Sequence, residues 1–254
     1  MWRAKPPSTD EVIRFRAARE RYDLSPLVIH VNYLINLATL DPTLREKSIT
    51  ALRGEIERAV IIGADFLVTH PGNYRSLSIE EGMAAVALSI AEATKDLSIG
   101  GLTVLLENTV GAGAQLGGKL EELRMIRDLT ARVTDIPVGY CLDTCHLLAS
   151  GYDVATHAGL EKTVASAASV LGMDEVRVFH ANDSKGALGS HIDRHANIGQ
   201  GHIGLDGFSG ILRHPALRSK PFILETPVDE EGDDRRNIDT LKRLSKNARK
   251  GVRL

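Results

Sequence analysis

A chain of 254 residues, 43% hydrophobic and only 4% aromatic, suits one large domain with an aliphatic core. No apolar run approaches the ~20 residues of a membrane span. The N-terminal M-W-R-A-K-P-P-S-T-D lacks the apolar centre of a secretory signal, so a cytoplasmic protein without a membrane partner is expected. The two cysteines, Cys141 and Cys145, share one short stretch; they form no disulfide framework and fit a reducing compartment. A formal net charge of -2 speaks at first against a nucleic-acid partner. That count treats every carboxylate as a free anion, and carboxylates that hold cations invert the local sign.

Residues 7–22 predict a helix with Ser8, Thr9 or Asp10 as N-cap and apolar Val12, Ile13, Phe15 and Ala18. Residues 26–30, P-L-V-I-H, form a short strand pattern ending on His30. A long amphipathic helix over 43–63 closes on Gly63. Residues 65–70, D-F-L-V-T-H, are a strand pattern ending on His70, before Pro71 and Gly72. A helix over 78–96 leads to a strand over 102–107 that ends on Glu107. A helix over 120–130 leads to V-G-Y-C-L-D, ending on Asp143, with His146 in the turn beyond. A helix over 160–171 leads to a strand over 175–180 ending on His180. A helix over 207–212 leads to a strand over 221–225 ending on Glu225, and a polar helix starts near Asp233.

Strands alternating with helices predict a parallel sheet, and near-continuous apolar strands predict one covered on both faces. An acid that comes after a strand is ordinarily the N-cap of the next helix. Six strands in succession ending on His, Asp or Glu ask for another account. In a TIM-type (β/α)8 barrel the carboxyl ends of many strands converge on one mouth, whereas an open doubly wound sheet gathers its ligands at one switch point. The expectation is an α/β TIM-type barrel forming a single domain over residues 1–254.

Three loop residues join the six. His146 comes after Asp143, and Asp193 and His195 lie in D-R-H, spaced so that both side chains can share a face of an extended segment. The nine candidates are His30, His70, Glu107, Asp143, His146, His180, Asp193, His195 and Glu225. One zinc takes three or four protein ligands, so this set suits two or three ions with a carboxylate bridging. Mixed nitrogen and oxygen donors favour zinc or manganese over magnesium. His157, His191, His202 and His214 fall in helix-start or polar loop contexts and are expected to be solvated or capping residues, with His191 and His202, which flank D-R-H, the least secure of the four. Cys141 and Cys145 are expected to be small buried residues. No G-x-S-x-G elbow and no phosphate-binding Gly-Lys-Ser/Thr loop is present.

The segments H-V-N-Y-L-I-N-L-A (30–38), H-P-G (70–72), L-E-N-T-V-G-A-G (106–113), C-L-D-T-C-H (141–146), H-A-N-D-S-K (180–185), D-R-H-A-N-I-G-Q-G-H-I-G (193–204) and I-L-E-T-P (223–227) resemble the endonuclease IV family of AP endonucleases, colinearly from Trp2 to the last helix. Asn32, Val110 and Ala112 depart from the commonest family letters, none at a ligand position. The resemblance implies three zinc ions, with manganese an alternative at one. His30, His70 and Glu107 would hold the first. Glu107, the catalytic bridging carboxylate, would reach a second held by Asp143, His180 and Glu225. His146, Asp193 and His195 would hold the third. It implies that Tyr33 and Leu34 contact DNA at the lesion, and that double-stranded DNA containing abasic sites is cleaved 5′ to the lesion, leaving a 3′-hydroxyl, in base excision repair. Zinc lowers the pKa of bound water to about 7 and stabilises charge on a phosphate and its leaving oxygen.

Two other readings stand beside this one. A sugar isomerase or epimerase of the xylose isomerase-like barrels would hold one or two metals and leave His146, Asp193 and His195 without a task. A barrel that binds DNA with weak or no turnover is the other. It arises from strand count, since six strands are evident where the barrel has eight. The two N-terminal strands and first helix of relatives are expected to be absent, with Met1 an internal methionine of a longer protein. Open edges at 27–30 and 222–225 would then favour self-association.

Overall fold

A computed structural model describes Trp2, residues 5–75 and residues 77–250, with side chains to residue 246; Met1 lies outside the described residues. The chain divides into two compact units. The first takes in residues 1–107, 114–116 and 122–139. The second takes in residues 108–113, 117–121 and 140–254.

In the first unit, α1 (Thr9–Arg21) starts at Ser8, whose hydroxyl accepts from Glu11 N while Glu11 returns a bond to Ser8 N. This is a reciprocal cap of two otherwise orphaned donors. None of its residues is buried, and Ile13 and Phe15 stay exposed, so the apolar positions predicted along this helix do not build a core face. The strand β1 (Val28–His30) comes next. Then α2 (Pro42–Ile62) is capped by Asp41 and stopped by Gly63 at φ 76°, a left-handed conformation that only glycine adopts cheaply. The strand β2 (Phe66–Thr69), the helix α3 (Ile79–Thr94) with a second Ser78–Glu81 cap, the strand β3 (Thr103–Glu107) and the helix α4 (Leu120–Thr130) complete the alternation. The pairs β1–β2 and β2–β3 are parallel, with Val28 beside Phe66 and Phe66 beside Thr103. Leu67, Val68, Leu105 and Leu106 are completely buried, each contributing about 1.5–3 kcal/mol.

The strand β4 (Val138–Asp143) begins in the first unit, where Val104 N donates to Pro137 O at 3.0 Å, and ends in the second. All six of its residues are buried, as its continuous apolar character predicts. In the second unit come α5 (Thr144–Ala149), α6 (His157–Val170), β5 (Val176–His180), the short strands β6 (Asp183–Ser184) and β7 (His195–Ala196), α7 (Gly204–Arg213), β8 (Phe222–Ile223) and α8 (Asp233–Lys250). The pairs β4–β5 and β5–β8 are parallel, and a register shift at Tyr140/Cys141 adds one residue on the β5 side. Three elements lie outside the predicted pattern: the one-and-a-half-turn helix α5 in place of a turn, and β6 and β7, which pair antiparallel.

Among the described residues six parallel strands of the eight of a TIM-type barrel are therefore present, three of them pairing side by side in each unit. Within their units β1 and β8 have a parallel neighbour on one side, as expected of edge strands. Among the described residues no helix is long and apolar enough to cross a membrane.

Candidate metal centre

In the first unit the ends of β1, β2 and β3 bring together three of the predicted residues. His30 closes β1, His70 stands one residue beyond β2, and Glu107 closes β3. Parallel neighbours in register place strand ends side by side, so the three meet without help from sequence proximity. Glu107 Oε2 lies 2.8 Å from His30 Nε2 and 3.0 Å from His70 Nε2, and the two rings meet edge to face at 5.3 Å. The Glu107 carboxylate is completely buried, whereas the His30 and His70 side chains are 30% and 34% exposed. The loop after β1 presents Tyr33, 87% exposed, and half-buried Leu34, whose N–H donates to Asn32 Oδ1 at 2.9 Å.

In the second unit Asp143, His180 and Glu225 offer ligand atoms within 4.8 Å of one another, as do Asp143, His146 and His195. His180 Nδ1 sits 3.0 Å from Glu225 Oε2, with Glu225 two residues beyond β8. His146 Nε2 is 3.3 Å from Asp193 Oδ1, and His195 Nε2 is 3.7 Å from that atom and 3.8 Å from Asp143 Oδ2. Asp143 combines both readings of an acid after a strand. Its Oδ1 caps α5 by accepting from His146 N at 2.8 Å, and its Oδ2 faces His195.

The imidazole tautomers test whether a cation fits. His30 Nδ1 donates to Val31 O at 2.8 Å, His146 Nδ1 to Asn108 O at 2.9 Å and His195 Nδ1 to Glu225 O at 2.9 Å. A carbonyl only accepts, so in the neutral ring each Nε2 is left as a lone pair, the form that ligates metal. Each of those lone pairs faces a carboxylate oxygen, and two acceptors face each other stably only with a proton or a cation between them. His195 Nε2 is buried and makes no hydrogen bond. Two ligands at tetrahedral zinc distances stand about 3.4 Å apart. The gaps of 3.3 and 3.7 Å from Asp193 to His146 and His195 bracket that figure, and Asp143 stands 3.8 Å from His195. The pairs at 2.8–3.0 Å around Glu107 and Glu225 would open by a few tenths of an ångström. Buried carboxylates such as Glu107 and Asp143 also need a compensating positive charge. The donor set therefore fits divalent zinc.

Of the residues set aside, exposed His157 starts α6, His214 lies 3.5 Å from Glu161, and exposed His202 donates its N–H to Ser184 O. Exposed His191 bonds through Nδ1 to Val110 O at 2.6 Å. Among the described residues none of the four joins a ligand group. Cys141 and Cys145 are both buried thiols. Burial, aided by the neighbouring Asp143 anion, pushes the Cys145 thiol up to about 12, which makes it inert as a nucleophile. Cys141 has its sulfur within 4.8 Å of a His180 nitrogen, closer to the ligands than its sequence context predicts.

Sequence reasoning missed the amides and the acid that hold this architecture. In the first unit Asn36 accepts from Asn73 N and Ala38 N and donates to Asn73 O, tying the loop after His30 to the loop after His70. Gly72, at φ 106°, is needed there because a Cβ would stand 2.2 Å from Asn36 Oδ1. In the second unit Asn108 accepts from Asp143 N at 2.7 Å and returns a bond to Asp143 O. Asp183, fully buried, accepts from the backbone N–H groups of Ser184, Gly199, Gly201, Ile203 and Gly204, fastening the glycine-rich loop beyond His195 to β6. An asparagine one or two positions after an apolar strand that ends on a ligand was the available signal, since a buried amide must find partners.

A family model described as the xylose isomerase-like TIM barrel matches residues 1–247. The chain is 62% identical over 245 residues to the probable endonuclease 4 of Solibacter usitatus, covering 96% of this chain and 84% of that protein. It is 40% identical over 252 residues to the probable endonuclease 4 of Chloroflexus aurantiacus, covering 97% and 86%. The crystal structure of endonuclease IV from Thermus thermophilus superposes with a TM-score of 0.84 at 35% identity, covering 97% of this chain and 86% of that one. A D-tagatose 3-epimerase-like protein, at 21% identity and a TM-score of 0.69, shares the fold alone. On these identities and this coverage the chain belongs to the endonuclease IV family, within the xylose isomerase-like TIM barrels.

Proposed function

We propose that this chain is a zinc-dependent AP endonuclease that cleaves double-stranded DNA 5′ to abasic sites and leaves a 3′-hydroxyl, as a step of base excision repair. Its membership of the endonuclease IV family makes it a phosphodiester-cleaving nuclease acting on DNA. The observation that carries the finer reading is the set of imidazoles whose Nδ1 is committed to a backbone carbonyl while Nε2 faces a carboxylate.

His30, His70 and Glu107 would hold one zinc. Asp143, His180 and Glu225 would hold a second, and His146, Asp193 and His195 a third. Glu107, on which His30 and His70 converge, would be the catalytic carboxylate. When bound, zinc supplies a nucleophile at neutral pH and stabilises charge on the phosphate and the leaving 3′ oxygen. The chain's own part is to hold the donors deprotonated and oriented. The backbone carbonyls fix the histidine tautomers, and the buried carboxylates offset the positive charge of the ions. Counted formally, three zincs at +2 turn the chain's -2 into +4, placing positive charge where a phosphate must sit. Tyr33, which projects into solvent in the loop after His30, is suited to stack on a base at the lesion, with half-buried Leu34 next in the chain.

The test is a nicking assay on a duplex carrying one abasic site, with and without chelator, alongside elemental analysis of the folded protein. About three zinc ions per chain and chelator-sensitive nicking are expected. One metal or none, with no nicking, would favour the sugar isomerase or epimerase chemistry of other barrels of this fold.

A further inference from the structure

We infer that Asn182 is a positioning residue that locks Asp143 and Glu225 into one metal-binding arrangement, an inference that rests on the metal-dependent reading above. Its side chain is fully buried. Nδ2 donates a short hydrogen bond to Asp143 Oδ2, and Oδ1 accepts from Glu225 N at 2.8 Å. One amide thus touches two candidate ligands that are 82 residues apart in sequence. Its own backbone is held in turn: Asn182 N donates to Thr144 Oγ1 at 3.0 Å, and Thr144 Oγ1 donates to Asn182 O at 2.7 Å. Thr144 directly succeeds Asp143, so three hydrogen bonds clasp this pair to Asn182, and a fourth ties Asn182 to Glu225.

The chemistry makes the amide hard to replace. A ligating carboxylate has one oxygen to give to metal only if the other is oriented, and Asp143 has Oδ1 committed to His146 N and Oδ2 shared with the Asn182 amide. Glu225 must hold its backbone as well, because its own carbonyl fixes the His195 tautomer at 2.9 Å. Asn182 therefore acts on Asp143 directly and on His195 through the Glu225 peptide. A carboxamide supplies the donor and the acceptor this requires in one planar group. Aspartate supplies only acceptors and would set a second anion against Asp143. Groups that orient metal ligands in this way typically change metal affinity by about 10–100-fold when removed.

The experiment compares the parent chain with Asn182→Asp and Asn182→Ala. Zinc bound per chain is measured at a series of buffered free-zinc concentrations, and the melting temperature is taken at high and low buffered zinc. The expected result is that Asn182→Asp, which sets a second buried anion against Asp143, melts below the parent already at low zinc. At high zinc its rise in melting temperature is smaller, because stabilisation by a ligand depends on its affinity. Its weakest zinc is expected to bind about 10–100-fold less tightly. Asn182→Ala should lose more, having lost both arms, and Asn182→Asp decides the matter if that variant fails to fold. Zinc affinity equal to the parent's overturns the inference. So does a melting temperature lowered equally at both zinc levels, which is the mark of a merely structural residue. A parent chain that binds no zinc overturns the proposed function and this inference together, whereas a parent with three zincs beside a variant that keeps all three tightly overturns only the inference.

Discussion

The imidazoles His30 and His70 of the first unit are presented and His146 and His180 of the second are held, although Asp193 and Glu225 of the second are 48% and 31% exposed. His30 and His70 are about one-third exposed, and beside them Tyr33 stands almost free in solvent. In the second unit His146 and His180 are 3% and 2% exposed, and Asn108, Asn182 and Asp183 fasten the surrounding backbone. His30, His70 and His180 all lie at or one residue past the ends of parallel strands, so the difference does not come from the sheet. It comes from the segments that leave the strand ends: irregular loops over 31–41 and 70–75 after β1 and β2, and the helix α5 with the β6–β7 pair after β4 and β5.

The largest effect that can sharpen this contrast is on Glu107, the carboxylate on which both exposed imidazoles converge. Glu107→Gln keeps the shape and removes the charge. It is expected to abolish nicking while leaving the circular dichroism spectrum near that of the parent. Activity retained within about tenfold, ~1.4 kcal/mol of barrier, would take Glu107 out of the catalytic role.

A smaller effect belongs to Tyr33, the part of the presented region that is not a ligand. Tyr33→Ala should weaken binding to abasic duplex by about 1–3 kcal/mol, the worth of an aromatic stack on a base. Zinc content and the cleavage rate at saturating DNA should change much less. Equal affinities of parent and variant, measured by fluorescence anisotropy on labelled DNA, would remove the lesion contact from this residue. The smallest effect is predicted for His157→Ala. This exposed histidine at the start of α6 belongs to the held unit but to none of its ligand groups. Stability within about 0.5 kcal/mol of the parent and an unchanged nicking rate are expected.

The sequence by itself determined the alternation of strands and helices and four of the strand ends, His30, Glu107, Asp143 and His180, whereas β2 and β8 stop at Thr69 and Ile223, short of His70 and Glu225. The alternation and those four ends are local: period and capping are written within ten or twenty residues, and α4 and β4 fall where their patterns place them. It also determined that Asp143 comes at the end of a strand, which left capping and ligation as rival readings. Tertiary structure decided that they coexist, because the two carboxylate oxygens face different partners. The same holds for the positions outside the strand-end pattern. Asn108 meets Asp143 across 35 residues, Asn182 meets Glu225 across 43, and His195 finds its tautomer partner 30 residues away. No periodicity encodes such pairs, since they exist only once parallel strands bring their ends together. The exposure of α1 has the same origin: its apolar residues could be read in the sequence, but what a helix face packs against is a property of the folded chain.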